Sequence, residues 1–205
     1  MDPLNKKDFI FEFFSLLLHP IFIPIYVTIV YINIFEGILN YDVKEYLFYV
    51  VLTGTFILPL ITIVILKITK IISSFKVEKS NERIIPIISS GIYIYVSARL
   101  LMVGSVNSPL NSYLIGVVVT LSWILIFSRK LKISLHTASI SSAMGFLIYL
   151  TNVFFVDVSD LVIIVIVLIG ISSTSRIKLK AHSYKEIVLG IFFGFIPQIG
   201  SLILY

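Results

Sequence analysis

The chain has 205 residues, 58% of them hydrophobic and only 13% charged, with a mean hydropathy of +1.06 and a formal net charge of +5. Soluble domains carry about 25% charged residues, so this composition excludes a water-soluble fold and predicts an integral membrane protein. The absence of cysteine excludes disulfides, thiolate metal centres and a cysteine nucleophile.

A helix needs about 20 mostly apolar residues to span a bilayer core. Taken in chain order, the apolar runs are Phe9 to Tyr31, Tyr46 to Ile68, Ile84 to Val103, Leu110 to Phe127, Ile133 to Leu150, Leu161 to Ser173 and Ile187 to Leu204. The sixth is short unless it begins near Val158 or continues into the polar stretch beyond it. The polar amino terminus is followed by an apolar run with no small-residue cleavage pattern, so the first run reads as a retained helix and not a signal peptide. The runs are continuous where a barrel strand would alternate, and a backbone in lipid must satisfy its own hydrogen bonds, so helices are favoured. The expected fold is all-α, a polytopic bundle of six to seven transmembrane helices, forming one domain over residues 1–205.

Successive spans reverse direction, which sorts the connections by side. All but Lys44 and Arg99 of the 16 Lys and Arg residues then fall on one face. By the positive-inside rule that face is cytoplasmic. The expected setting is a bacterial inner membrane, with the lipid bilayer itself as a partner.

Three polar stretches meet on the basic face: "KVEKSNERIIP" (Lys76 to Pro86), "SLH" (Ser134 to His136) and "SSTSRIKLKAHSYKE" (Ser172 to Glu186). In this order they resemble the three signature motifs of the type 2 phosphatidic acid phosphatase superfamily, KxxxxxxRP, SGH and SRxxxxxHxxxD. Lys76 and Arg83 have the first spacing, Ser134 and His136 the second, and Ser175, Arg176 and His182 the third, with Glu186 in place of the aspartate. The resemblance covers about 76–186. Pro86 follows Arg83 by three positions instead of one, and Leu135 replaces the motif glycine.

Residue chemistry gives independent reasons for this set. A phosphate ester needs cationic donors, and Arg suits bidentate contact while Lys acts as a point charge. Lys76, Arg83 and Arg176, with the Ser134 hydroxyl, are the expected phosphate ligands. Breaking a P–O bond without a metal requires a nucleophile and a proton donor, roles that two histidines can divide. The resemblance implies that His182 attacks phosphorus to form a phosphohistidine and that His136 protonates the leaving alcohol. Glu186, four residues after His182, would share its side of a helix and hold the imidazole tautomer. No metal and no cofactor are expected.

Alternative readings attach to the same residues. Lys178, Lys180, Lys185, Arg129, Lys130 and Lys132 are expected to set topology and meet lipid headgroups. Ser139, Ser141, Ser142 and Gly145 read as a small-residue face for helix packing. His19, beside Pro20 inside the first run, is either an intramembrane functional group or the cap of a proline kink. Arg99 is expected to snorkel to the far interface, and Asn81 and Glu82 could hold Arg83. The leading expectation is a lipid phosphate phosphatase acting on phosphatidic acid, phosphatidylglycerophosphate or a polyprenyl phosphate or diphosphate. The alternatives are a non-catalytic lipid-phosphate-binding or transport protein, or a scaffold without a site. No glycine-rich nucleotide loop of the usual spacing, paired-carboxylate metal motif or nucleic-acid-reading pattern is present.

Overall fold

The computed structural model describes residues 6–75, 80–103, 109–128 and 131–201. Among these the regular structure is helical throughout. Helices follow the apolar runs, and several of their ends are set by proline, side-chain caps or backbone turns. Five, the Tyr41–Ile68 rod, Ile84–Val103, Pro109–Phe127, Leu135–Phe154 and Ser159–Lys178, are long and apolar enough to cross a membrane, which makes this an integral membrane protein.

The first predicted span is not continuous. α1 (Lys6–Leu17) stops two residues short of His19, and α2 (Ile23–Ile34) restarts after it. Pro20 has no N–H and disfavours the α conformation in the residue before it. The chain therefore crosses Leu18 to Phe22 in a tight turn, with His19 N donating to the Leu16 carbonyl at 3.1 Å and Phe22 N to the His19 carbonyl at 2.9 Å. Pro24 then sits in the first turn of α2, where a missing N–H costs nothing.

The chain forms two compact units, Pro24–Lys132 and Met1–Ile23 with Ile133–Tyr205. In the first, α3 (Tyr41–Leu52) is capped by Asn40, whose side chain accepts from Val43 N at 2.9 Å. It runs through a π-helical turn, Thr53–Ile57, into α4 (Leu58–Ile68). Pro59 explains the π turn, because it removes one backbone donor and crowds the preceding carbonyls. Gly54 lies in that turn against α5 (Ile84–Val103), and a Cβ there would come within 1.9 Å of Ser97 Oγ. The Tyr46 hydroxyl donates to the Leu100 carbonyl at 2.8 Å, and α6 (Pro109–Phe127) packs along α5. Before α5, a 3-10 turn spans Ser80–Arg83. Glu82 Oε2 accepts from both the backbone N and the hydroxyl of Ser73, at 2.9 Å each.

In the other unit, α7 (Leu135–Phe154) is the most enclosed helix. It packs against α9 (Tyr184–Ser201) and α8 (Ser159–Lys178), and α8 packs against α1. Of the small residues predicted to form a packing face, Ser141 and Gly145 meet α9, while Ser139 and Ser142 bond to carbonyls of α7 itself. Ser141 Oγ donates to the Ile191 carbonyl at 2.8 Å, and a Cβ on Gly145 would lie 2.6 Å from Gln198 Cβ. Gly190 and Gly194 answer from α9, where a Cβ would meet Thr137 Oγ1 at 2.2 Å and the Ala138 carbonyl oxygen at 1.9 Å. Interhelical hydrogen bonds in membranes average only about 0.6 kcal/mol, so the close backbone approach carries most of this contact. α8 instead exposes Ile163, Ile164, Ile166 and Val167, as a lipid-facing helix should. It is longer than the sixth predicted span at both ends and brings Arg176 into its last turn.

Candidate active site

The connection between α8 and α9 accounts for the spacing of the third polar stretch. α8 ends in a Schellman turn: Ala181 N donates to the Arg176 carbonyl at 3.0 Å and Lys180 N to the Ile177 carbonyl at 2.9 Å. Lys180 takes the left-handed conformation (φ 52°) that such a turn demands. His182 N also donates to the Arg176 carbonyl, at 3.3 Å, so the histidine follows the turn directly. α9 then opens with a capping box over Ser183 to Glu186: Glu186 N donates to Ser183 Oγ at 3.4 Å, and Ser183 N donates to Glu186 Oε2 at 3.3 Å. One Schellman turn followed by one capping box sets five residues between Arg176 and His182, and three between His182 and Glu186.

His182 thus lies before α9, not on the helix that carries Glu186, and their contact does not rest on helical i,i+4 spacing. The capping box aims the carboxylate backward, where Oε2 lies 2.7 Å from His182 Nδ1. A carboxylate only accepts, so the hydrogen bond puts a proton on Nδ1 and leaves the lone pair of a neutral imidazole on Nε2. The His182 side chain is buried, and Glu186 is partly exposed.

His136 sits in the first turn of α7, buried, with Nε2 3.1 Å from the carbonyl oxygen of Ser15 and 3.5 Å from its hydroxyl. The carbonyl can only accept, so this proton is on Nε2. Arg176 Nη1 donates to the same Ser15 hydroxyl at 2.7 Å. Ser15, on α1, therefore bridges a cation on α8 and an imidazole on α7. His19 stands edge-on to His136 with ring centroids 5.2 Å apart, and its Nδ1 accepts from Ile21 N at 3.4 Å. It caps the proline break and borders the site at once. Arg176 and His19 both reach His136, the first through the Ser15 hydroxyl and the second by ring contact.

Ser134 is the N-cap of α7. Its Oγ accepts from Thr137 N at 3.5 Å, and its own N donates to the Glu186 carbonyl at 3.2 Å, locking the start of α7 to the first turn of α9. Leu135 takes an ordinary backbone conformation, since among described non-glycine residues only Lys70, Phe155 and Lys180 have positive φ. The replaced motif glycine imposes no strain here.

No family model, curated protein or solved structure matches the chain. The site therefore rests on its own geometry. Of the residues singled out in the sequence, Ser134, His136, Arg176, His182 and Glu186 gather in one unit, whereas Arg83 closes the 3-10 turn of the other. Lys76, Arg129 and Lys130 lie outside the described residues. Lys178, Lys180, Lys185 and Lys132 are exposed, in keeping with headgroup contact. Ser15 escaped the sequence reading, because a serine in an apolar helix carries no spacing signal. The break at Pro20 and the intramembrane His19 marked the neighbourhood. Among the described residues no cluster of His, Asp and Glu could hold a metal ion.

Proposed function

We propose that the protein is an integral membrane phosphatase that hydrolyses a lipid phosphate monoester or diphosphate through a phosphohistidine, without a metal. The observation that carries this reading is the 2.7 Å contact of His182 Nδ1 with Glu186, which fixes the tautomer a nucleophilic Nε2 requires. In the proposed cycle, the His182 Nε2 lone pair attacks phosphorus and the bond to the lipid oxygen breaks. His136 gives that oxygen its proton. Glu186 stabilises the positive charge that remains on the imidazole. Water then attacks the phosphohistidine, His136 takes a proton from it, and phosphate leaves His182. Arg176 offsets the charge on the phosphoryl oxygens, and the motif resemblance assigns Lys76, Arg83 and Ser134 to the same task.

The Lys and Arg asymmetry of the sequence supports a reaction at the cytoplasmic surface of the membrane. There an anionic headgroup meets the cations while its tails stay among the apolar helices. A cytoplasmic site favours an intermediate of phospholipid synthesis, phosphatidic acid or phosphatidylglycerophosphate, over polyprenyl diphosphates released outside.

The test is phosphate release by the full chain in detergent, with chelator present, from phosphatidic acid, phosphatidylglycerophosphate and farnesyl diphosphate. Release that falls by about 10³-fold or more in His182→Ala is expected. Release that survives this substitution would overturn the phosphohistidine. Headgroup-dependent stabilisation with no release from any of the three would favour a binding or transport protein.

A further inference from the structure

Ser15 offers two oxygens: its hydroxyl accepts from Arg176 at 2.7 Å and lies 3.5 Å from His136 Nε2, and its carbonyl accepts from His136 Nε2 at 3.1 Å. Of those two donors, the proposed function assigns Arg176 on α8 to the phosphoryl oxygens and His136 on α7 to the leaving oxygen on the same phosphorus. A phosphoryl group likewise presents several acceptor oxygens on one atom. We infer that Ser15 is a built-in occupant of the oxyanion site, holding the place of two phosphate oxygens until an anionic headgroup displaces it. The inference rests on the phosphatase reading for the identity of the anion.

The occupancy follows from the sequence of α1. The proline break at Leu18 to Phe22 ends the helix next to the site, and α1 is held there by packing on α8. Ser15 is buried at that contact. The hydroxyl and the carbonyl are neutral acceptors. A phosphate oxygen keeps the charge-assisted bond to Arg176 and adds direct attraction between opposite charges, so a phosphate can take both donors from Ser15 while an uncharged lipid cannot. Ser15 thereby becomes a specificity residue: an anionic group with at least two acceptor oxygens is needed to replace both of its contacts.

A purely structural tether and an internal occupant predict opposite signs. Inorganic phosphate binding to the full chain in detergent is measured calorimetrically for the wild type, Ser15→Ala and Arg176→Ala. Removing the competing hydroxyl is expected to tighten phosphate binding about 2- to 10-fold, the range for one net hydrogen bond, and Arg176→Ala to abolish it. Unchanged or weaker binding in Ser15→Ala, with binding still dependent on Arg176, would overturn the role of Ser15 and leave the phosphate site standing. Absence of Arg176-dependent binding in both forms would overturn the phosphate site as well. Because the chain has no cysteine, Ser15→Cys supplies a second reading if Ser15→Ala does not fold. Phosphate is expected to accelerate alkylation of its thiol several-fold by displacing it from the site; a rate independent of phosphate would refute the displacement.

Discussion

Glu186 Oε2 lies 2.7 Å from His182 Nδ1 and 3.3 Å from Ser183 N, so one carboxylate oxygen serves both an imidazole and a helix cap. The two tasks separate on substitution. Glutamine can complete a capping box as glutamate does, but its neutral amide cannot stabilise a positively charged histidine. Glu186→Gln is expected to keep stability within about 1 kcal/mol of the wild type while lowering phosphate release by about 10²- to 10⁴-fold. Glu186→Ala is expected to lose both. Thermal unfolding in detergent beside turnover distinguishes them. Equal activity in Glu186→Gln and the wild type would reduce Glu186 to a cap.

The proposed roles of the two histidines predict a bell-shaped pH profile for kcat/KM, because His182 must be neutral to attack and His136 protonated to donate. Raising pH favours the first condition and removes the second. His136→Ala is expected to lower the rate by about 10²- to 10⁴-fold and to abolish the alkaline fall. A substrate with a good leaving group, such as a nitrophenyl phosphate, should recover part of the loss. A profile unchanged in shape by the substitution would assign the alkaline limb elsewhere.

Lys180 ends α8 in the left-handed region (φ 52°), where a side chain costs about 1–2 kcal/mol relative to glycine. The same turn sets His182 beside the Arg176 carbonyl. Lys180→Gly is expected to stabilise the protein by about 1 kcal/mol with little change in activity, since Lys180 is exposed. Denaturation midpoints of the two forms decide it.

Glycines differ in what they permit. A Cβ on Gly194 would approach the Ala138 carbonyl oxygen to 1.9 Å, whereas one on Gly170 of α8 meets nothing within 4 Å. Gly194→Ala must push α9 away from α7 and is expected to cost about 1–3 kcal/mol. It should also weaken catalysis, because α9 carries Glu186 and α7 carries His136. Gly170→Ala is expected to be neutral or stabilising by up to about 1 kcal/mol. The reverse order of stabilities would show that the α7–α9 contact is looser than these distances require.

Composition and the length of the apolar runs determined that the chain is helical and lives in a membrane. The bilayer makes both signals strong, since backbone groups in hydrocarbon must pair within their own segment. α5 matches its predicted span residue for residue, and α6 begins one residue early. The ends that moved did so for local reasons that a hydropathy reading passes over. Pro20 split the first run, the Ser134 cap delayed α7, and the Ser183–Glu186 box started α9 before its apolar stretch. The motif resemblance put Ser134, His136, Arg176, His182 and Glu186 among the candidates, and phosphate chemistry gave independent reasons for their residue types. Only the tertiary structure decided that Glu186 reaches His182 through a cap and not along a helix, and that Ser15 stands between Arg176 and His136. Those contacts join residues as much as 161 positions apart. Helix packing brings them together, and a buried hydroxyl takes its partner from whatever packing sets beside it.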